Sequence, residues 1–231
     1  MGGAVPLTNN WPQQDFSALV DAEGGLAVFN RGLPEVEVLD AGDGTAVCAV
    51  TLLRCVDWLS RDDLPTRNRI NAGPTLATPD AQLIGRHTFH CAVMPFTGDP
   101  LTADVKGRSD AWRTPTPVVQ GVADDSTSGG AGLLAGSDPR VAITAVKRAE
   151  RGEALIVRLV NLADVAVTET LHLELPVIDV EKVSLVETEL HIYRDDPVPT
   201  HGGRRVRVPL APHEIATLAL ALAGPETEES S

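Results

Sequence analysis

Leu171-His172-Leu173-Glu174-Leu175 alternates apolar with polar at every step, and Val206-Arg207-Val208 repeats the pattern further on. Successive side chains of a strand point to opposite faces, so each stretch has one wet face and one buried face. Outward from these two, short runs rich in Val, Leu and Thr recur between Gly, Pro, Asn and Asp. They predict strands over Val141 to Lys147, Ala154 to Asn161, Ala166 to Leu175, Val180 to Glu187, Glu189 to Tyr193, Arg204 to Leu210 and Ile215 to Leu222. Seven strands at this spacing predict a β-sandwich. Gly202-Gly203 before Arg204 reads as a hairpin or loop tip.

The first half reads the same way, with strands expected over Gly25 to Phe29, Glu35 to Asp40, Thr45 to Leu53 and a long one from Gln82 to Met94. Ala41-Gly42-Asp43-Gly44 suits a hairpin turn. Helical periodicity is nearly absent, so the chain is expected to be all-β. Between the two series Asp124-Asp125-Ser126-Thr127-Ser128-Gly129-Gly130-Ala131-Gly132 is polar and glycine-rich and reads as a linker or loop. The expected organisation is a first domain over 1–123, a linker over 124–138, a second domain over 139–223 and an acidic, disordered tail over 224–231. Ser60 to Ala81 forms a second long connection, unusual in a compact domain unless it is functional or packs on a partner. It carries Arg61, Arg67 and Arg69 in an otherwise acidic chain.

A formal charge of −13 argues against nucleic acid, whose phosphates demand a basic footprint. No stretch approaches the ~20 apolar residues that cross a bilayer, and the first residues carry no basic and apolar leader. Aromatic side chains make up only 3% of the chain, few for a sugar-binding module built on aromatic platforms. Cys48, Cys55 and Cys91 cannot all pair within the chain and lie in apolar runs. They are expected to be reduced and buried, as in a cytoplasmic protein.

Few residues suggest chemistry. His87 and His90 are spaced by three, which on a strand sets them on opposite faces and argues against a shared metal. Asp62/Asp63, Asp124/Asp125 and Asp195/Asp196 read as solvated loop pairs, since glycosidase carboxylates must be held ångströms apart across a cleft. Neither a nucleophile elbow nor a phosphate or dinucleotide loop occurs. Asn30-Arg31-Gly32-Leu33-Pro34 is more suggestive: it ends an apolar strand and sets a five-donor guanidinium at a sheet rim, suited to sugar hydroxyls or a carboxylate.

Trp11-Pro12-Gln13-Gln14-Asp15-Phe16 and Gly25-Leu26-Ala27-Val28-Phe29-Asn30-Arg31-Gly32-Leu33-Pro34-Glu35-Val36-Glu37-Val38 resemble the stretch that follows the catalytic domains of bacterial family-38 α-mannosidases. Leu59-Ser60-Arg61-Asp62-Asp63-Leu64, Thr78-Pro79-Asp80-Ala81-Gln82, Gly85-Arg86-His87-Thr88-Phe89 and Ile143-Thr144-Ala145-Val146-Lys147-Arg148-Ala149-Glu150 continue it in order. The resemblance runs from about residue 11 to 222.

It implies the end portion of a mutarotase-like β-supersandwich followed by a small β-sandwich. The family's zinc ion and aspartate nucleophile belong to an N-terminal domain, with a His-x-Asp element among the metal ligands. No histidine here is followed two positions on by Asp, so no catalytic or zinc residue carries over. The chain is expected to be inactive alone, with zinc only in the missing catalytic domain as partner. The resemblance further implies that the β-region lends an arginine to the active-site rim, a role that falls to Arg31 with Asn30 beside it. Arg61 and Arg67 become interface candidates. An exposed apolar patch or free strand edges are expected where the missing part docks, which would favour homo-oligomers. The alternatives are an autonomous module that binds mannose-containing carbohydrate or another protein, and a sugar epimerase that brings His87 or His90 and a Glu together.

Overall fold

The computed structural model describes residues 10–63, 72–118, 120, 132–188 and 199–223. Its chain divides into two compact units. One comprises residues 1–98 with 109–114, and the other residues 99–108 with 115–231. Both units are built on antiparallel strands, so the all-β expectation holds.

The first unit contains two three-stranded sheets. In one, β1 (Asn10–Pro12) and β5 (Ala46–Val50) flank β4 (Glu35–Asp40). In the other, β2 (Phe16–Val20) and β6 (Cys91–Thr97) flank β3 (Gly24–Asn30). The predicted β4–β5 turn forms. Asp40 Oδ1 accepts from Gly42 N at 2.8 Å, Asp43 Oδ1 accepts from Thr45 N at 3.0 Å, and Gly42 and Gly44 take positive φ. Two glycines of β3 are required for a different reason. A Cβ at Gly24 would lie 2.2 Å from the Phe96 carbonyl oxygen, and one at Gly25 would lie 2.3 Å from that of Leu19. Both obstacles are backbone, so at these two positions β3 leaves no room for a Cβ. Gly24→Ala is accordingly expected to push β3 from β6 and cost about 1–3 kcal/mol. A thermal melt would read this as a drop of several degrees; an unchanged midpoint would show that the strands can part freely.

The second unit has two four-stranded sheets, one in the order β12 (Thr200–Gly202), β13 (Arg205–Leu210), β10 (Val167–Leu173) and β7 (Leu134–Ala135). The other runs β11 (Val177–Val183), β14 (Ile215–Leu222), β9 (Leu155–Asn161) and β8 (Val141–Arg148). Val167, Leu171, Leu173, Val206, Val208 and Leu210 from the first sheet pack with Val157, Leu159, Leu218 and Leu220 from the second in one core. Facing sheets with a shared core are the predicted sandwich. His172 and Arg207 point out, as their alternation requires.

Several local expectations give way. Of Gln82 to Met94 only the end is strand. Pro79–Gln82 is a short 3-10 helix, Leu83 takes a positive φ and Gly85 another, so the backbone cannot remain extended there. His87 and His90 therefore precede β6, and the argument from opposite strand faces does not apply to them. The segment Thr45 to Leu53 yields only β5, and the strand expected over Val180 to Glu187 is β11, three residues earlier. β1, β2 and one helix, α1 (Val105–Arg113), went unread. The helix holds nine residues including Gly107 and has no long apolar stripe to betray it.

All three cysteines are free, but the expected burial fails. Cys55 and Cys91 are exposed and Cys48 is half-buried. Cys91 opens β6 on the face it shares with the exposed Val93, so an apolar run did not mean a buried one. The candidate strand Glu189 to Tyr193, residues 124–131 of the linker, the tail 224–231, Arg67 and Arg69, Asp124/Asp125 and Asp195/Asp196 lie outside the described residues.

Candidate functional site

Asn30 ends β3 with no exposed surface. Its Nδ2 donates to Asp15 O at 3.3 Å and its Oδ1 accepts from Leu33 N at 2.9 Å. These bonds tie the strand end to its neighbour and close the turn that follows, where Gly32 takes a φ of +78°. Asn30 thus acts on backbone, while the next side chain faces solvent. Arg31 N donates to His90 O at 3.2 Å, which fixes the residue on the end of β6.

The Arg31 guanidinium lies 4.6 Å from the centre of the Trp112 ring and donates through one NH2 to the Trp112 carbonyl. Trp112 packs against Phe29 at 6.2 Å between ring centres, and Phe29 meets Phe16 edge-on at 6.3 Å. A stacked guanidinium gives one face to the ring and keeps in-plane donors for a ligand. Next to it Arg113 pairs with Asp15, while Arg113 Nε is buried with no hydrogen-bond partner among the described residues. The result is a positioned cation at the rim of a sheet, with an aromatic stack beneath it. It can hold hydroxyl or carboxylate oxygens, and with N–H donors and no acceptor it suits positioning.

Arg61 stands elsewhere in the same unit. Its Nε donates to Asp63 Oδ1 at 2.8 Å and its NH2 to Oδ2 in a bidentate pair. That pairing raises the pKa of Arg61 and lowers that of Asp63. The long loop is pinned at its base: Ser60 Oγ accepts from Ala72 N at 3.1 Å and from Gly73 N at 3.3 Å, and Trp58 pairs with Ala77. Arg61 is thus half-engaged within its loop.

In the second unit a recess of about 490 Å³ has Ile156, Val183 and Ala219 among its lining, with Glu150 and Glu187 beside them. Glu187 accepts from Glu150 N at 2.7 Å and meets Lys147 at 2.7 Å, and these two contacts hold its carboxyl below the usual range. Both oxygens are thereby engaged. No three His, Cys, Asp or Glu side chains are placed to hold a metal ion among the described residues. His87 Nε2 meets Leu83 O at 2.6 Å, and its ring stacks near Phe89 at 6.3 Å.

Sequence reasoning missed Trp112, on the unread helix, and Glu169 in β10. Glu169 is buried, and Oε1 accepts from Ser137 N at 2.7 Å and Ser137 Oγ at 3.0 Å. A charged residue among alternating apolar ones was the available signal.

Residues 140–218 match the family model described as the glycosyl hydrolases family 38 C-terminal beta sandwich domain. Two solved structures from Enterococcus faecalis are similar along 93% of the chain: a protein in glycosyl hydrolase family 38, at 27% identity, and an alpha-mannosidase from strain V583, at 28%; both have a TM-score of 0.68. This chain covers only 23% and 22% of theirs, so it spans less than a quarter of either. No curated protein matches it. The expected similarity to the C-terminal β-domain region of family-38 glycoside hydrolases is thus found.

Proposed function

We propose that this chain, similar nearly throughout to the C-terminal β-region of family-38 glycoside hydrolases, is the non-catalytic supporting part of an α-mannosidase-like enzyme. One observation carries the reading: the similarity spans 93% of this chain but under a quarter of a solved alpha-mannosidase. The first unit is the end portion of the supersandwich and the second is the sandwich that follows it. The partner is the polypeptide or segment that holds the catalytic domain. Zinc belongs to that partner, as the family resemblance implies.

Within the assembly Arg31 lies at the active-site rim and positions hydroxyls of a mannose-containing substrate, on the aromatic support of Trp112. Asn30 positions Arg31 through the backbone. Arg61 and Arg67 are the candidates for the interface with the catalytic domain. The free thiols suit a reducing compartment, and we place the protein in the cytoplasm.

Hydrolysis of an aryl α-mannoside with added zinc tests this. The chain alone is expected to be silent, and mixing with the family-38 catalytic polypeptide of the same genome is expected to produce turnover. Arg31→Ala should lower kcat/KM of the mixture by roughly an order of magnitude, as loss of a charged positioning contact does, with the melting temperature unchanged. Turnover by the chain alone would overturn the reading, and mannose binding by the isolated chain would favour an autonomous module.

A further inference from the structure

A free strand edge exposes a row of unpaired N–H and C=O groups, and folded proteins blunt it with proline, charge, bulges or shortness. The second unit uses most of these. One of its sheets ends in β12 and β7, only three and two residues long. The other ends in β8 and β11, each interrupted by a register shift and each charged, by Lys147 and Arg148 in the first and by Asp179, Glu181 and Lys182 in the second.

The first unit protects only one edge of each sheet. In β6 the bonds from Arg31 N to His90 O and from Gly98 N to Glu23 O set even-numbered residues on β3. Odd ones face outward, so the missing N–H of Pro95 falls on the edge. β1 is three residues long and ends in Pro12. The opposite edges lack any such device. In β2 the bonds from Asn30 N to Asp15 O and from Asp21 N to Gly24 O turn the backbone groups of Phe16, Ala18 and Val20 outward. In β5 those from Ala41 N to Thr45 O and from Thr51 N to Glu35 O do the same for Ala46, Cys48 and Val50. Phe-Ser-Ala-Leu-Val and Ala-Val-Cys-Ala-Val contain no charge and no proline. Among the described residues no strand pairs with either edge.

We propose that β2 and β5 are docking edges, each extended by a strand that the polypeptide carrying the rest of the enzyme supplies. This rests on the supporting role given above. Main-chain hydrogen bonds would give the affinity, as in other strand additions. The similarity covers 93% of this chain but only 23% and 22% of the solved structures, so the occupant is sought in the remainder of such an enzyme. The sheet holding β2 is also apolar on its second face, where Leu26 and Val93 are exposed. A second copy is the poorer occupant, since each carries a formal charge of −13.

Residue-resolved amide exchange tests the assignment. In the free chain the amides of Phe16, Ala18, Val20, Ala46, Cys48 and Val50 are expected to exchange fast. Addition of the family-38 catalytic polypeptide of the same genome should slow them at least about a hundredfold. Val20→Pro and Ala46→Pro, which remove only outward N–H groups at exposed positions, should weaken association at least about tenfold and leave the melting of the free chain unchanged. If mixing restores activity while the six amides still exchange fast, the docking edges are wrong and the supporting role stands. Absence of both association and activity removes that role, and the edges with it. Slowing that rises with the concentration of the chain alone would assign the edges to a second copy and overturn the proposal.

Discussion

Leu218→Ala is expected to cost about 2–5 kcal/mol of unfolding free energy, the range for a buried leucine cut to alanine. Leu218 has no exposed surface and sits in β14, an interior strand of its sheet, opposite Val157 of β9. Its side chain belongs to the core shared by the two sheets of the second unit. The loss combines the transfer of the deleted methyl groups with a cavity that strands hydrogen-bonded on both sides cannot close. Against a typical total of about 5–15 kcal/mol this is a large fraction. Denaturant titration would show a lower midpoint with the same slope. Ile215→Ala in the same strand is the control: Ile215 is 54% exposed and should change stability by no more than about 0.5 kcal/mol. Similar losses at both positions would contradict the assignment of faces.

Glu169→Ala is expected to cost about 2–4 kcal/mol. Glu169 is 1% exposed, yet it is a carboxylate on a core strand. It is tolerable there because the segment before β8 folds donors onto it. Ser137 N and Oγ reach Oε1, and Asp138 N reaches Oε2 at 3.3 Å. Its own neighbour Thr170 N donates to Oε1 at 2.8 Å. Removing the side chain strands these donors and loosens the segment. Glu169→Gln separates shape from charge: one amide oxygen can keep the two Ser137 bonds, while the NH2 opposes Asp138 N. A loss about half that of alanine is therefore expected in the same titration, with faster exchange at Ser137 and Asp138. Equal losses for Gln and Ala would mean that the charge itself holds the segment.

Much of the candidate site was legible locally. Asn30-Arg31-Gly32 announces a strand end with a turn and a guanidinium, and each residue does that. Its aromatic support was not legible, because Trp112 is distant in sequence and lies on a helix too short for periodicity to reveal. The arginine-rich loop was legible as a loop, but the internal pairing of Arg61 with Asp63 depends on a conformation that composition does not specify. The cysteines show the same limit. Apolar neighbours predict a strand, whereas burial depends on which face of the sheet is covered.

By itself the sequence determined what period-two alternation and turn residues encode: an antiparallel β-protein, a sandwich in its second half with correctly assigned inner faces at Leu171, Val206 and Val208, and the β4–β5 hairpin. These are local properties, since side chains alternate whatever the strand pairs with. The tertiary structure alone decided which strands are edges, which carboxylate is buried and satisfied, and where Arg31 rests. Those outcomes depend on neighbours far apart in the chain: a proline protects an edge only if its missing N–H points outward, and a buried glutamate is stable only if distant donors arrive.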